Sequence, residues 1–515
     1  MNWFRTFPGC GAILLTVVLS LSSPAGALLP AFPGAEGAGA YAVGGRNGDV
    51  YHVTNLNNSG AGSLRYGIDN ASTSGRTIVF DISGTIALEK TLRIQKPYVT
   101  IAGQTAPGLG ICITNFDTQI EYTHDVILRH IRFRPGLAYG GTASNQFNTD
   151  SLELNGDTSR PLYNIMLDHL SASWSVDECM GYSGTNTNVT YQWCNITEGL
   201  NDTHVHDYSP TTIHGAGSLL SAYSDAFVTV HHSLYAHQGF RSPRVRSYDF
   251  KTHTADLANN VVYDWGSTAA YGGGSTTRTI GGVNKAWYDD RSFWNYRGTY
   301  SIAGPSTDPN SVNYALEDWG QGIDPNGVAS TWDMKVYQSG NKIDSDRDGV
   351  LDGVDTGWDM TTGPMVRMDT SFAMPGVPVT IDDADTAFQL VLAQSGAMPL
   401  YRDSVDIRVT NEVLTQTGRI IDSQSDVGGY PIIPVLTRSA DWDTDADGMP
   451  NWWETQIGLN PSVDDHLGDF NGDGYTNLEH YLNYMNDQVV PEPATLSLVL
   501  LGGLPLLRKG RRAAV

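Results

Sequence analysis

Cysteine is scarce in this chain, with only four among 515 residues. Cys10 lies in an N-terminal apolar segment that we exclude from the folded body, so Cys112, Cys179 and Cys194 remain. An odd number allows at most one internal disulfide, for which Cys179 and Cys194 are the nearer pair, and free buried thiols are the alternative. The scarcity excludes a disulfide-built scaffold, and no cysteine spacing fits a zinc site.

Positive charge is also scarce, with 31 Lys and Arg against 55 Asp and Glu and a formal net charge of −24. Nucleic acid is therefore excluded as a partner, because phosphate binding needs a basic face. An acidic protein that handles an acidic polymer needs clustered arginines or a bridging cation. Only 17% of residues are charged and 56 are glycine, which favours a turn-dense β protein over a helical one.

Long apolar runs are missing from the body of the chain and occur only at its two ends. The first, Met1–Ala27, has Arg5, an apolar core and a small-residue cleavage site at Ala25–Ala27, which is typical of a secretory signal. A buried N-terminal helix is the alternative. The second run, Ala494–Leu507, is shorter than the about 20 residues that a spanning helix needs.

The C-terminal tail combines Pro491-Glu492-Pro493 with that second run and a basic end that closes at Arg512. This pattern resembles the PEP-CTERM sorting signal of exopolysaccharide-producing bacteria. The resemblance implies export, transient membrane anchoring and processing of the tail. A disordered apolar tail is the alternative. We therefore predict a signal peptide at 1–27, a sorting segment at 488–515, and a secreted or cell-surface protein.

The body shows many short β runs and an internal repeat. Five segments align, each with alternating apolar residues leading to a polar or aromatic position: VILRHIRF at Val126, IMLDHLSA at Ile165, VTYQWCNI at Val189, VTVHHSLY at Val228 and DLANNVVY at Asp256. The shared position is occupied by His130, His169, Trp193, His232 and Asn260. Stacked parallel strands bury a core that no single repeat can bury alone. The pattern predicts an all-β, right-handed parallel β-helix over residues 28–435, with a β-sandwich as the alternative.

An arginine cluster follows the fourth repeat, at Arg241, Arg244 and Arg246 around Pro243. A stiff segment after a strand can hold planar guanidinium groups against an anionic ligand. Surface ion pairs are the alternative. Two long insertions, 133–164 and 197–227, are placed to wall a groove beside these arginines, because loops on a rigid scaffold usually carry the binding groups.

Acidic and amide side chains form two further patches, Asn148 to Asp150 and Asn164 to Glu178. Residues in register on successive coils of a β-helix lie about 4.8 Å apart. Asp150, Asp168, Asp177 and Glu178 can therefore supply the oxygen ligands that calcium takes. For each of them a structural role, such as capping a turn or facing solvent, is the alternative.

These residues carry a resemblance to the pectate lyase family, polysaccharide lyase family one. The similar segments are FPGAEGAGAYAVGGRNGDVYHVTNLNNSGAGSLRYGI, LDHLSASWSVDE, HGAGSLLSAYSDAFVTVHHSLYAH and RSPRVR. The resemblance implies a parallel β-helix that cleaves polygalacturonate by β-elimination with calcium in the groove. It places the catalytic base at Arg241 and a substrate-carboxylate contact at Arg246. Its calcium aspartates fall on Asp150 and Asp168.

The chain departs from the family pattern at three positions. Met166-Leu167 stands where the family has its usual tryptophan before Asp168-His169, and Asn148 and Asn164 stand where acidic ligands are expected. Amide oxygens still bind calcium, but two negative charges fewer weaken the site, and Asp177 or Glu178 is expected to compensate.

Histidines are the conventional bases near neutral pH, whereas an arginine side chain normally stays protonated. The resemblance nevertheless assigns the base to Arg241. We assign His214, His231 and Arg244 to substrate binding and His232 to the buried repeat position.

Two acidic loops near the C-terminus match the EF-hand pattern. Asp443, Asp445 and Asp447 precede Gly448, with Glu454 at the twelfth position; Asp469, Asn471 and Asp473 precede Gly474, with Glu479 one place early and His480 at the twelfth position. The pair resembles dockerin-like or EF-hand modules, so we predict a small helical calcium-binding module at 436–487. A weaker match at Asp344–Asp355 is equally consistent with an acidic loop of the β-helix.

We therefore predict a monomeric, secreted, Ca²⁺-dependent lyase that acts on an anionic pectic polysaccharide. A hydrolase on the same architecture is one alternative and would need clustered catalytic aspartates. A non-catalytic protein that binds anionic glycan through the groove is the other, and the Asn148 and Asn164 departures favour it.

Overall fold

The computed structural model describes residues 28–137, 149–203, 213–248, 250–273, 276–280, 283–287, 290–320 and 334–491, with backbone only for 276–280 and 283–287. The predicted signal peptide, Asn148 and the tail after Pro491 lie outside these ranges. Among the helices of the described ranges, none has the length and apolar character to cross a membrane.

The described residues form 31 strands and five α-helices. The first fifteen strands are β1 Asp49–Val53, β2 Arg76–Phe80, β3 Gly84–Ala87, β4 Leu92–Ile94, β5 Val99–Ala102, β6 Ile111–Thr114, β7 Thr118–Glu121, β8 His124–Arg129, β9 Ile131–Arg134, β10 Leu152–Gly156, β11 Leu162–Asp168, β12 Ser171–Ser173, β13 Met180–Gly184, β14 Asn186–Gln192 and β15 Asn195–Thr197. The remaining strands are β16 Leu219–Ala222, β17 Ala226–His231, β18 Leu234–Ala236, β19 Arg244–Ser247, β20 Thr252–Ala258, β21 Val261–Tyr263, β22 Ala270–Gly272, β23 Thr276–Ile280, β24 Val283–Trp287, β25 Arg291–Arg297, β26 Tyr300–Ile302, β27 Leu316–Asp318, β28 Lys335–Ser339, β29 Lys342–Asp344, β30 Thr361–Thr362 and β31 Val366–Arg367. The helices are α1 Leu64–Asp69, α2 Ala384–Gln394, α3 Ser404–Thr415, α4 Asn451–Ile457 and α5 Asn477–Val489.

Three parallel sheets wind around one core. The long sheet has eleven strands in the order β1-β2-β5-β8-β11-β14-β17-β20-β25-β28-β31. The groove sheet has nine, from β4 through β7, β10, β13, β16, β19, β22 and β27 to β30. The third sheet also has nine, from β3 through β6, β9, β12, β15, β18, β21 and β26 to β29. Each full coil gives one strand to each sheet, which is the architecture of a right-handed parallel β-helix and confirms the predicted fold.

The repeat is confirmed by the strand register, with one correction. Val126, Ile165, Val189 and Val228 are paired neighbours on successive strands of the long sheet, as predicted. The next partner is Ala255 rather than Asp256. The fifth repeat is therefore displaced by one residue, and its shared position is Asn259 instead of Asn260.

A left-handed residue turns the chain between the long sheet and the third sheet in each of these coils. His130, His169, Trp193, His232 and Asn259 have φ between 49° and 56°. Their side chains stack along the helix axis: ring centroids lie 4.8 Å apart for His130 and His169, 6.1 Å for His169 and Trp193, and 4.3 Å for Trp193 and His232. The predicted single run Val126–Phe133 is consequently two strands that meet at His130.

The interior is filled by ladders of apolar side chains from successive coils. On the long sheet Leu128, Leu167 and Tyr191 are paired neighbours and almost fully buried. Cys112, Cys179 and Cys194 are also buried, and all three are free thiols. The nearer pair, Cys179 and Cys194, therefore forms no disulfide.

The outer face of the long sheet is covered by the N-terminal segment and the C-terminal helices. Gly39 N–H donates to Thr190 Oγ1 at 2.8 Å, and this segment runs so close to the sheet that a Cβ on Gly39 would collide with the carbonyl oxygen of Ile165. Trp453 of α4 and Tyr481 of α5 pack in one cluster with Ala102 at the end of β5. This side of the solenoid is therefore closed to a large ligand.

Helices α2 and α3 cover the third sheet, and the sequence patterns did not predict them. Phe388 and Val413 pack against a patch of this sheet that includes Tyr300. Buried ion pairs add to the contact, since Arg134 lies 2.5 Å from Asp403 and 2.8 Å from Asp406. Both helices begin at an aspartate whose side chain accepts a backbone N–H of the first turn.

A buried histidine links the third sheet to α3. His237 Nδ1 lies 2.7 Å from Asp264, and its Nε2 lies 3.3 Å from Glu412 of α3. Burial alone would lower the pKa of His237, but the hydrogen bonds with Asp264 and Glu412 outweigh it and raise the pKa to about 9. His237 therefore stays protonated in the folded protein across the neutral range.

The contacts of His237 with Asp264 and Glu412 predict that the stability of the fold depends on pH. The folded state holds a proton on His237 that the unfolded state loses near pH 6.5, so the contribution is fully present below pH 6.5 and is lost as pH rises to about 9. We expect the free energy of unfolding to fall by about 2–3 kcal/mol over that range and the fall to be smaller in His237→Gln. Urea unfolding at pH 6, 7.5 and 9 measures it. His124→Gln is the matched control and should keep the wild-type slope; equal slopes in the wild type and His237→Gln would contradict the assignment.

Candidate active site

The outward side chains of the groove sheet form a continuous row. Because alternate residues of a strand face opposite sides, Leu152 and Leu154 enter the core and Glu153 points outward. The strand pairings continue this row from Glu153 through Gly181, Leu219, Arg244, Tyr271 and Glu317 to Thr362. We call these positions the floor row.

Carboxylates cluster at one end of the floor row. Asp150 and Glu178 precede β10 and β13, and Asp150 Oδ1 accepts the Glu178 N–H at 2.9 Å. Burial, together with the charges of Glu153 and Asp177, raises the pKa of Asp150 well above its usual range. Burial and the charges of Asp117 and Asp177 raise the pKa of Glu153 to about 7. Negative charge on this cluster is therefore unfavourable, and a bound cation would relieve it.

Arg241 lies against this cluster. Phe240 continues the stack of Glu178 and Ala216 by an isolated bridge, and Arg241 follows it with φ of 62°. Its guanidinium forms an ion pair with Glu178, lies 3.8 Å from Asp177 and sits over the Phe240 ring at 4.9 Å. The carboxylates and the predicted base are thus brought together, as the sequence patterns anticipated.

His214 completes the same group. Its Nδ1 lies 3.0 Å from Asp177 Oδ1, and its ring packs 5.2 Å from that of Phe240. Ligand atoms of Asp177, Glu178 and His214 all lie within 4.8 Å of one another. Hard carboxylate oxygens dominate this donor set, so the residues present fit a Ca²⁺ ion better than a softer metal.

A cleft of about 770 Å³ opens beside Arg241, which is within the size range of ligand sites. Arg244 lines it and is held in place by a hydrogen bond from its Nη2 to the Gly273 carbonyl at 2.7 Å. Tyr271 and Trp319 continue the lining, to which Ile420 and Asp422 also belong. The arginines thus stand between the carboxylate cluster and an aromatic end of the cleft.

The structure separates Asp168 and Asn164 from this site, so the expectation that they share a calcium ion with Asp150 is wrong. Both belong to β11 of the long sheet, on which the N-terminal segment packs. Asp168 is fully buried, pairs with Arg129 at 2.7 Å and accepts a hydrogen bond from Gln192 at 2.8 Å. Burial would raise the pKa of Asp168, but His169 and Arg129 hold it well below its usual range.

His231 is likewise not a substrate contact. It ends β17 on the long sheet, is almost fully buried, and its Nδ1 lies 2.9 Å from that of His232. Burial and the neighbouring His232 lower its pKa well below the usual range.

Arg246 faces the same side of β19 as Arg244, but it is buried and packs 4.4 Å from the Tyr248 ring. Arg244 is therefore the arginine of β19 that reaches the cleft.

Glu153, Tyr271 and Trp319 were missed at the level of sequence. For Glu153 the signal was present, because the alternation Leu152-Glu153-Leu154 marks it as the outward residue of a buried strand. No local pattern marks Tyr271 or Trp319. They become neighbours only because β22 and β27 pair in the groove sheet.

The first C-terminal loop has the geometry of a cation site. Ligand atoms of Asp443, Asp445 and Asp447 lie within 4.8 Å of one another. Within residues 334–491, neither carboxylate oxygen of Asp445 or Glu454 finds a hydrogen-bond partner, although all four atoms are buried. Burial and the neighbouring aspartates raise the pKa of Glu454 to about 8. These orphaned oxygens fit Ca²⁺.

The second loop differs, and the assignment of Glu479 as a ligand is wrong. Glu479 Oε2 accepts the Thr476 N–H that begins α5, and its Oε1 pairs with Arg46 at 2.8 Å. His480 points to the loop instead, with Nε2 3.2 Å from Asp473. This loop is therefore left with a nitrogen at the position where a bidentate glutamate is wanted.

Comparison with known proteins bears on the whole chain. No protein-family model matches it. The probable pectate lyase C of Aspergillus flavus is 33% identical over 458 residues, covering 88% of this chain and 94% of the relative. The probable pectate lyase C of Aspergillus fumigatus is 34% identical over 472 residues, covering 91% of this chain and 97% of the relative. The probable pectate lyase C of Emericella nidulans is 34% identical over 481 residues, covering 93% of this chain and 97% of the relative.

Among solved structures, the cedar pollen allergen jun a 1 is similar with a TM-score of 0.47 and 17% identity, covering 69% of this chain and 90% of its own. The thermostable pectate lyase PL 47 has a TM-score of 0.45 and 13% identity, covering 70% and 97%.

The fold and the site define a parallel β-helix protein whose groove sets arginines beside a carboxylate cluster. The identity to the fungal relatives over nearly their whole length makes the assignment specific. This chain belongs to the pectate lyase family.

The clustered carboxylates predict a stabilising substitution. With calcium removed by a chelator at pH 8, Glu153→Gln should raise the free energy of unfolding by about 1–2 kcal/mol, because it removes one of several repelling charges at a partly exposed position. Chemical denaturation in EDTA measures the change. The exposed Glu89→Gln should have no such effect, and a Glu153→Gln protein no more stable than the wild type would show that the cluster is not strained.

Proposed function

We propose that the cleft cleaves polygalacturonate, or a closely related uronate polymer, by Ca²⁺-assisted β-elimination. The observation that carries this proposal is the placement of Arg241 between the carboxylate cluster and the cleft. In the reaction a base removes the proton beside the uronate carboxylate, the bond to the glycosidic oxygen breaks, and a carbon–carbon double bond forms. The departing oxygen takes up a proton from water.

The cation would be held by Asp150, Asp177 and Glu178, with Glu153 on the floor row close by. The raised pKa values of Asp150 and Glu153 support this placement. When bound, Ca²⁺ would neutralise these carboxylates and the uronate carboxylate, which makes the neighbouring proton more acidic. Asn148 remains a proposed further ligand.

Arg241 is the proposed base, and its contact with Glu178 sets the condition for that role. An ion pair with a carboxylate keeps a guanidinium protonated. The role therefore requires that the charge of Glu178 be compensated by something other than Arg241. Competition between Arg241 and the cation for Glu178 would tie proton removal to occupancy of the site.

Arg244 is proposed to bind a uronate carboxylate in the cleft, since its side chain is fixed by Gly273 and lines the open space. Arg246 would add positive charge from its buried position beside it. His214 is proposed to orient Asp177 and to border the bound polymer.

We also propose that the loop from Asp443 to Glu454 binds a structural Ca²⁺ ion. The module it belongs to, 436–487, packs on the long sheet, and His52 of β1 links Asp81 at 3.0 Å with Asp443 at 3.6 Å. Ion binding would therefore stabilise the contact between module and solenoid, because it removes the repulsion among the loop carboxylates.

The remaining segments are proposed to direct the protein outward. Residues 1–27 would act as the signal peptide and 488–515 as the sorting segment. With the module at 436–487 set apart, residues 28–435 would form the lyase domain. Export agrees with the proposed substrate, a polymer outside the cell.

The base assignment predicts loss of turnover without loss of fold. Arg241→Lys should lower the release of unsaturated products from polygalacturonate by about 100-fold or more, because lysine places its charge elsewhere and lacks the guanidinium. Ultraviolet absorbance of the products measures the rate, and circular dichroism checks the fold. The exposed Arg160→Lys is the control and should be fully active. Near-normal activity in Arg241→Lys would remove Arg241 from the base role.

The structural calcium site predicts a difference between two glutamates of the module. Glu454→Gln should abolish one calcium-binding event and most of the calcium-induced rise in Tm, because the orphaned carboxylate is lost. Glu479→Gln should leave the number of bound ions unchanged, since that side chain is engaged by Arg46 and Thr476. Isothermal titration with CaCl₂ counts the ions. An unchanged count in Glu454→Gln would place the ion elsewhere.

A further inference from the structure

The floor row changes character beyond Arg244. Arg244 pairs in register with Tyr271, Tyr271 with Glu317, and Glu317 with Thr362. Successive strands lie about 4.8 Å apart, so these four side chains follow one another along the groove. The described floor positions after Arg244 are therefore aromatic, acidic and neutral in turn, and none of them is basic.

Trp319 stands over this stretch. Its ring stacks on Tyr271 with centroids 4.3 Å apart and an interplanar angle of 28°. Its indole N–H donates to Glu317 Oε2 at 3.0 Å, and its backbone N–H donates to the Gly272 carbonyl at 3.1 Å. Three contacts thus fix the orientation of the indole before any ligand arrives. Tyr271 is buried, whereas Trp319 remains 47% exposed and lines the cleft.

An exposed, pre-oriented aromatic ring in a carbohydrate groove offers an apolar surface for the flat face of a pyranose ring. The charges around the Trp319 ring favour an uncharged sugar over a charged one. Glu317 holds the indole from the floor, and Asp422 belongs to the wall of the same cleft. The Arg244 guanidinium lies 5.3 Å from the Tyr271 ring, from the strand before it, whereas Glu317 is on the strand after it. A uronate carboxylate placed against Trp319 would therefore meet the carboxylate of Glu317, and like charges brought together in a partly enclosed site repel. An uncharged ring would not be repelled.

We propose that Trp319, Tyr271 and Glu317 form a subsite for an uncharged pyranose residue of the polymer, while Arg241 and Arg244 hold the charged residues. The residue is either a methyl-esterified galacturonate or a neutral sugar of the pectic backbone. The inference rests on the proposed function, because it places this subsite one to two strands along the groove from Arg244, which is proposed to bind a uronate. Trp319 is then a specificity-determining residue rather than a catalytic one.

Kinetics on three polymers test the subsite. The substrates are polygalacturonate, partially methyl-esterified homogalacturonan, and a polymer alternating rhamnose with galacturonate. Trp319→Ala should lower kcat/KM by about tenfold on a polymer that fills the subsite, with less than about a twofold change on polygalacturonate. Trp319→Phe, which keeps a ring, should fall between. Tyr401→Ala removes an aromatic side chain of similar exposure, 46%, next to α3 and serves as the control.

The results on the two polymers that contain uncharged residues show which uncharged sugar the subsite binds. A loss confined to the esterified polymer assigns the subsite to the methyl ester, and a loss confined to the rhamnose polymer assigns it to the neutral sugar. Equal losses on all three polymers, or no loss on any, overturn the proposal.

A binding measurement makes the inference independent of turnover. Arg241→Lys protein, which should cleave its ligands at least about 100-fold more slowly than the wild type, is titrated with unesterified and fully methyl-esterified oligogalacturonides. Adding Glu317→Gln keeps the hydrogen bond to the indole but removes the charge, so binding of the unesterified oligomer should tighten about threefold or more while the esterified one is unchanged. An unchanged ratio of the two affinities overturns the charge selection. If the wild-type protein releases no unsaturated product from any polymer, the proposed lyase function fails, and the affinity ratio still decides the subsite.

Discussion

In the seven coils from β8 to β29, the chain leaves the long sheet and enters the third sheet within one or two residues, and a left-handed residue makes that turn each time. A side chain with a Cβ pays of order 1 kcal/mol or more for this conformation. The stacking of His130, His169, Trp193 and His232 offsets the cost, because each ring rests on the one before it. Register between coils follows from this corner, and register is what places Glu153, Arg244 and Glu317 in one line. The site is therefore a product of the corner as much as of its own residues.

Charge is arranged in bands along that line. The carboxylate cluster, the arginines and the acidic aromatic end follow one another along the groove sheet, each band one to three strands wide. Such an arrangement would allow a protein with a net charge of −24 to hold the anionic polymer proposed as its substrate. Local bands a few ångströms wide act at contact distance, whereas the charge of the whole molecule is screened beyond about 8–10 Å at ordinary salt. The overall field therefore does not prevent binding in the cleft.

The fold was predictable from sequence because its repeat recurs along the chain and has a recognisable polar or aromatic residue after each strand of the long sheet. The predicted position of the fifth repeat was wrong by one residue because Asn259 and Asn260 are both acceptable at a left-handed corner, and only the pairing of Val228 with Ala255 decides between them.

The site was predicted in part. Asp150, Asp177, Glu178 and Arg241 meet, but Asp168 and His231 do not, because a linear pattern does not say which of three sheets a strand joins. Glu479 went wrong for a different reason: the start of α5 and Arg46, far away in sequence, compete with the loop for its carboxylate. Trp319 left no local trace at all, since its partner lies on a neighbouring coil.

The floor row also has a fixed spacing along the groove. One outward side chain per coil, at a spacing set by backbone hydrogen bonds, divides the groove into equal steps whose length does not depend on which side chains are present. Exchanging the outward residue of a single strand would therefore change the chemistry at one position of the groove without changing the spacing of its neighbours. Because the long sheet and the third sheet are covered by other elements, such changes leave the packing on those two sheets in place. A lyase of this build can change the pattern of charges it reads along a polymer one coil at a time, with its chemistry left in place.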